Sequence, residues 1–307
     1  MPALITHHFF GQDVLAQWQQ ENPISEASRQ AFLLGCQGPD PFFYAIFARQ
    51  LNALRGFGNR LHNERVAESL DCLRQAAKVL PQDRHLAMDA YVRGWLCHFF
   101  LDSITHPQII FYERTLCSIG YPGLGPDASS EVHAQIESDL DSMLLYRRNG
   151  QTIKTFRPTS EILLASDTLL DWIGVMYRRV ADEVFHINMP AQTFRRGVKM
   201  MRASYDLIYS PGGTMRTLVG AAERIGRKHS LMQALSHRVD VGIVTDFDNH
   251  HHETWINPFS GERSEASFMD LYRQAVNVAV QRQEQFTGGE DSIDLVGALN
   301  FLGSPVQ

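Results

Sequence analysis

The sequence predicts an all-α protein with a compact multi-helix fold. Apolar residues recur with a helical period along most of the chain, and the alternation expected of strands is nearly absent. Helices are expected near 11–20, 26–35, 41–55, 59–80, 84–106, 130–148, 160–186, 191–210, 214–227 and 265–286. Pro107 follows His106 and disfavours continuation of the fifth helix. Thr159 or Ser160 can cap the helix after Pro158, and Ser210-Pro-Gly-Gly-Thr214 reads as a tight turn. Val239–Phe247 is the one segment that suggests a short strand. Residues 228–264 form the longest irregular stretch, a length that is often functional in compact proteins. With no repeat and no clear linker, a single domain is expected over 1–307.

Composition narrows the function classes. The chain has 307 residues, 44% of them apolar, which is enough for a sizeable core. The net charge of -6 and the lack of a long basic run give no strong nucleic-acid signature. Cys36, Cys72, Cys97 and Cys117 form no Cys-x-x-Cys pair and are expected to be reduced. The first residues lack a basic region, and His7 and His8 interrupt the apolar run, so they do not resemble a signal peptide. No run of 18 apolar residues is present, so no transmembrane segment is expected and the cytoplasm is the expected location.

The most informative segment is Gly94-Trp-Leu-Cys-His98-Phe-Phe-Leu-Asp102-Ser-Ile-Thr-His106-Pro107. On a helix, His98, Asp102 and His106 recur at i, i+4 and i+8, each rotated about 40° from the last, so they share one face. Their apolar neighbours predict burial, which is costly for such groups unless they are hydrogen-bonded or bind metal. Imidazole nitrogen and carboxylate oxygen suit zinc. A buried hydrogen-bond network is the alternative reading of these residues. His133 and Glu137 form a second i, i+4 pair, with Asp141 continuing the same face. Alone, such a pair is ordinarily a solvated one. Asp40 lies between Pro39 and Pro41 and can either bind metal or cap a helix.

Taken in order, His7, Asp40, His62, His98, Asp102, His106, His133 and Glu137 resemble the metal-site residues of the zinc-dependent phospholipase C family, in particular a bacterial branch of it. The related single-strand-specific zinc nucleases share the plan. The resemblance is carried by Thr6-His7, Gly38-Pro-Asp40-Pro and the His98-x3-Asp102-x3-His106-Pro segment, over about the first half of the chain. It implies a compact helical fold holding two or three zinc ions. Asp40, His62, His98 and Asp102 would hold one ion, and His106, His133 and Glu137 a second with an open position. His7, a bridging Asp102 and the N-terminal group would hold the third. Removal of the initiator would expose Pro2, five residues before His7. Compared with the secreted members, Asp102 and His106 are closer in sequence, and Asp40 and His62 are further apart.

The resemblance implies hydrolysis of a phosphate ester, a phospholipase C-like phosphodiesterase using a zinc-bound hydroxide, with Asp40 as a catalytic candidate. Its partner would be a small phosphate ester or a phospholipid head group. Three divalent ions set against Asp40, Asp102, Glu137 and a hydroxide would leave a centre of about +2, suited to an anionic substrate. A zinc nuclease or nucleotidase is the alternative enzyme, and a zinc-stabilised binding protein the alternative class. Phe42, Phe43 and Tyr44 could line a substrate site or be ordinary core. The run His250-His-His-Glu253 is either a solvated loop or a cover for the site.

Overall fold

The computed structural model describes residues 3–18, 24–44, 51–119, 125–240 and 242–306. Among them helices dominate. They are α1 (Leu4–Trp18), α2 (Glu26–Gly35), α3 (Leu51–Asn63), α4 (Val66–Lys78), α5 (Gln82–Ser118), α6 (Ser129–Asn149), α7 (Pro158–Glu161), α8 (Asp167–Glu183), α9 (Gln192–Ile208), α10 (Thr214–Glu223), α11 (Leu231–Leu235), α12 (Phe268–Gly288) and α13 (Ser292–Val296). A 3-10 turn, Asp40–Tyr44, follows α2, and a second, Pro126–Ala128, precedes α6. No described helix is long and apolar enough to cross a membrane.

The chain forms two compact units. One comprises Met1–Thr6, Thr105–Ile162 and Ala203–Leu271, and the other His7–Ile104, Leu163–Arg202 and Tyr272–Gln307. The second has an aromatic core. Phe42 is fully buried and meets Phe57 and Tyr177 edge-on, with ring centroids 5.0 and 4.9 Å away. Tyr177 stacks on Phe194 at 5.0 Å. In the first unit α11 packs on α6.

The expected helices near 26–35, 191–210 and 265–286 correspond to α2, α9 and α12. Four departures have physical causes. α1 starts at Leu4, well before the expected 11, because Asp141 accepts the amides of Ile5 and Thr6 at 3.0 and 2.7 Å. That carboxylate satisfies orphan first-turn donors from 136 residues away, so no local signal marks the start. α5 runs through Pro107 to Ser118, and the ring costs Ser103 its helical N–H partner without ending the helix. The expected helix at 59–80 breaks where Arg65 takes a left-handed φ of 52°. That at 160–186 becomes the short α7 and then α8, which is capped by Ser166 rather than Thr159 or Ser160.

The expected strand at Val239–Phe247 is absent from its described residues, and Val241 lies outside them. The hairpin is instead Trp255–Ile256 (β1) paired antiparallel with Arg263–Ser264 (β2), where Gly261 supplies a φ of 75°. Of the expected helix at 41–55, residues 45–50 lie outside the described set.

α2 and α5 touch backbone to backbone. A Cβ on Gly35 would stand 2.2 Å from the Tyr91 carbonyl oxygen, and one on Gly94 2.1 Å from that of Phe32. Gly94→Ala is therefore expected to cost about 1–3 kcal/mol in urea unfolding. Gly56→Ala, on a helix with open space at its Cβ, is expected to be neutral or to stabilise by about 0.5–1 kcal/mol. Equal effects of the two would contradict the close crossing.

Candidate metal centre

Five of the candidate residues meet in the second unit. His98 and Asp102 stand one turn apart on α5, and His62 lies in the last turn of α3. Asp40 opens the 3-10 turn, and His7 lies in α1. All five are buried, with exposures between 0% for His98 and 7% for His62. Gly38 makes the approach of the Asp40 segment possible. Its φ is 52°, and a Cβ there would lie 2.3 Å from His98 Cδ2.

The hydrogen bonds decide which imidazole nitrogen faces the pocket. His62 Nδ1 is 2.8 Å from the Gly58 carbonyl oxygen and His98 Nδ1 is 3.1 Å from that of Cys36. A carbonyl can only accept, so each Nδ1 carries the proton and each Nε2 is left for the pocket. His62 Nε2 is 3.0 Å from Asp40 Oδ1. His98 Nε2 lies 3.3 Å from Asp102 Oδ2 and 3.8 Å from Asp40 Oδ1. His7 Nε2 is 3.0 Å from Asp102 Oδ1, and its ring stacks on His98 at 4.2 Å. Ligand atoms of His62, His98 and Asp102, and likewise of His7, Asp40 and His98, lie within 4.8 Å of one another.

Two atoms in this pocket are orphaned: Asp40 Oδ2 and His98 Nε2 are buried and lack a hydrogen-bond partner among the described residues. Leaving such groups unpaired is costly. A cation among them would satisfy both, and a set of imidazole nitrogens and carboxylate oxygens fits zinc. Burial would raise the Asp40 carboxyl, but His98 and His62 outweigh it and hold it below its usual value. Burial pushes His98 down to about 4 against the pull of Asp102. Its lone pair is thus free at neutral pH.

The second cluster lies in the first unit and consists of the expected triad. Glu137 Oε1 is 3.5 Å from His106 Nε2 and 3.3 Å from His133 Nε2, and ligand atoms of all three lie within 4.8 Å. His133 Nδ1 is 2.8 Å from Glu113 Oε2, and Glu113 also accepts the Ser129 hydroxyl. A carboxylate on Nδ1 orients the ring and raises its basicity as a ligand. Burial would lower His133, but Glu137 and Glu113 carry it up to about 9. Burial would raise Glu137, but the two imidazoles help to hold it well below the carboxylate range. Sequence reasoning missed Glu113, which lies on the part of α5 beyond Pro107. Two turns after His106, it would have been visible had the helix been continued.

Other candidates have different surroundings. His8 Nε2 is 3.0 Å from the Gln12 amide, so of the adjacent pair it is His7 that faces the cluster. Asp141 holds the first turn of α1 and, at 3.0 Å, His237. Phe42 and Tyr44 are core, whereas Phe43 is partly exposed with its ring 4.9 Å from that of His62. His250, His251 and His252 are exposed, and His250 Nδ1 pairs with Asp248 at 2.8 Å. Phe301 was not anticipated. Its amide donates to the His62 carbonyl oxygen at 3.0 Å and its ring lies 5.4 Å from His98. Met1 and Pro2, and with them the N-terminal group, lie outside the described residues.

These shifts give the metal-free chain a pH optimum of stability. His133 sits near 9, above the ordinary 6.5, so its contribution is full below 6.5 and is lost as pH rises to 9. His98 sits near 4, so its contribution is lost as pH falls from 6.5 to 4. The unfolding free energy of chelator-treated protein should peak near pH 6.5, with each limb worth about 3 kcal/mol. A flat profile between pH 6.5 and 9 would contradict the His133 assignment.

A family model described as zinc dependent phospholipase C matches residues 6–187, which contain both clusters. No curated protein and no solved structure matches the chain. The all-α fold, the two histidine–carboxylate clusters and the match over more than half of the chain agree: the protein belongs to the zinc-dependent phospholipase C family.

Proposed function

We propose that the protein hydrolyses a phosphate ester as a phospholipase C-like phosphodiesterase, with two or three zinc ions held by the two clusters. The observation that supports this best is the pair of orphaned buried atoms, Asp40 Oδ2 and His98 Nε2, inside a zinc-suited donor set. In this reading Asp40, His62, His98 and Asp102 hold one ion. His106, His133 and Glu137 hold another, and three protein ligands with one open position is the arrangement of catalytic zinc. His7 and Asp102, with the N-terminal group, would hold a third. Zinc in such sites acts as a Lewis acid and lowers the pKa of coordinated water toward ~7.

The chain's own residues do the rest. The Gly58 and Cys36 carbonyls and the Glu113 carboxylate keep His62, His98 and His133 in the tautomer whose Nε2 lone pair faces inward. Asp40, with Oδ1 on His62 and Oδ2 without a partner among the described residues, can take a proton at Oδ2 or donate that oxygen as a ligand. A metal-loaded centre in an acidic chain favours an anionic phosphate ester over a neutral substrate.

The test uses zinc-loaded protein against a choline phospholipid, a soluble phosphodiester, a single-stranded oligonucleotide and a nucleoside monophosphate. Cleavage of the lipid and the phosphodiester is expected. Glu113→Gln should lower zinc affinity or turnover about 10–100-fold with helix content unchanged. His85→Ala, whose imidazole lies beside the Ala77 carbonyl, should change neither. Cleavage of only the oligonucleotide or the nucleotide would transfer the assignment to a nuclease. Turnover of none of the four would leave a zinc-binding protein without catalysis.

A further inference from the structure

The first unit contains a cavity of about 530 Å³ that neither cluster uses. This is within the size range of small-molecule sites. Helix geometry separates it from the second cluster. On α6 its lining residues Glu131 and Gln135 project about 160–200° around the axis from His133. Two of the three α6 residues of the cavity thus lie opposite the ligand face, and Val132 stands about 100° from His133.

Three arginines line the cavity, and two of them, Arg216 and Arg224, lack a carboxylate partner among the described residues. Arg216 is half-buried between α10 and α6. Its guanidinium donates to the Ser236 carbonyl oxygen at 3.0 Å and to Gln135 Oε1 at 2.9 Å, both neutral acceptors. Arg224 donates to Gln233 Oε1, which is also neutral. Neither arginine pairs with a carboxylate among the described residues. The nearby carboxylates are engaged elsewhere: Glu131 with Arg227 at 2.8 Å, and Asp139 with Arg238 at 3.0 Å. Asp246 is exposed. A third lining group, His229, has its Nε2 buried without a hydrogen-bond partner among the described residues, with a carboxylate oxygen of Asp127 3.8 Å away. Desolvating a guanidinium without an anion is costly. Burial and the neighbouring Arg238 accordingly lower Arg216 from its usual value.

The rest of the lining is mixed: Leu116, Val132, Ala234 and Phe247 supply apolar surface beside Ser230, Arg238 and Asp246. Gly220 lets Gln233 approach α10, since a Cβ there would lie 2.5 Å from Gln233 Oε1, the atom that holds Arg224.

We propose that this cavity binds a small amphiphilic oxyanion, with a phosphate-type head on Arg216 and Arg224 and a short apolar tail along Leu116, Val132 and Phe247. Planar guanidinium groups suit oxyanions through paired N–H donors. The site is separate from the hydrolytic reading and stands without it.

The experiment is calorimetric titration of the metal-loaded protein with hexyl phosphate, inorganic phosphate and hexanol. Hexyl phosphate should bind at least ten-fold tighter than inorganic phosphate, and hexanol should not bind. Arg216→Gln and Arg224→Gln should each weaken hexyl phosphate at least ten-fold while zinc content stays unchanged. A phosphate held only at the metal clusters would be indifferent to both substitutions, and that result would overturn the proposal. So would hexanol binding as tightly as hexyl phosphate, inorganic phosphate binding equally well, or no saturable binding up to millimolar concentration. Arg224 is exposed and its side chain holds only Gln233, so Arg224→Gln carries the test if Arg216→Gln does not fold.

Discussion

Two backbone carbonyls govern the larger cluster. Gly58 and Cys36 each accept the Nδ1 proton of an imidazole, which commits His62 and His98 to presenting Nε2 to Asp40 and Asp102. Without those acceptors either tautomer would be open, and the same residues could settle into an ordinary buried hydrogen-bond network. With them, a buried lone pair and a buried carboxylate oxygen are left with nothing to bind among the described residues. A cation held between these atoms would offset that cost.

The position of those carbonyls follows from helix packing. Gly35 and Gly94 bring α2 against α5 at backbone contact, and Cys36, whose carbonyl meets His98, directly follows Gly35. One turn along α5 from Gly94 stands His98 itself. Gly38 then turns the chain with a left-handed residue over the His98 ring and delivers Asp40. From below, Phe301 packs its ring against His62, His98 and Trp95. Glycines that look like loop punctuation in sequence are thus the residues that permit the site.

The legible part of the site was its helical periodicity. His98, Asp102 and His106 recur at one face, and His133 and Glu137 repeat the interval, so their grouping needed only one helix each. The bounds of α1 and α5 were not legible because their causes are not local. The cap on α1 comes from Asp141 in α6, and Pro107 is tolerated inside a helix whose other bonds and packing persist. Continuing α5 past Pro107 is what brings Glu113 to His133, so one misplaced helix end concealed one positioning group. The hairpin gave no signal in the sequence because Trp255–Ile256 and Arg263–Ser264 are two-residue strands, too short for alternation to register. Phe301 had no sequence signal, since a lone aromatic near a chain end does not indicate what it will cover.

The central claim is that both clusters are metal sites. Anomalous diffraction at the zinc edge, on crystals of protein purified without chelator or affinity tag, tests it most directly. The account predicts one peak within about 2.0–2.2 Å of His98 Nε2 and a carboxylate oxygen of Asp40 or Asp102. It predicts another at the same distances from His106, His133 and Glu137. Zinc confined to the exposed His250–His252 run, with neither cluster occupied, would contradict it.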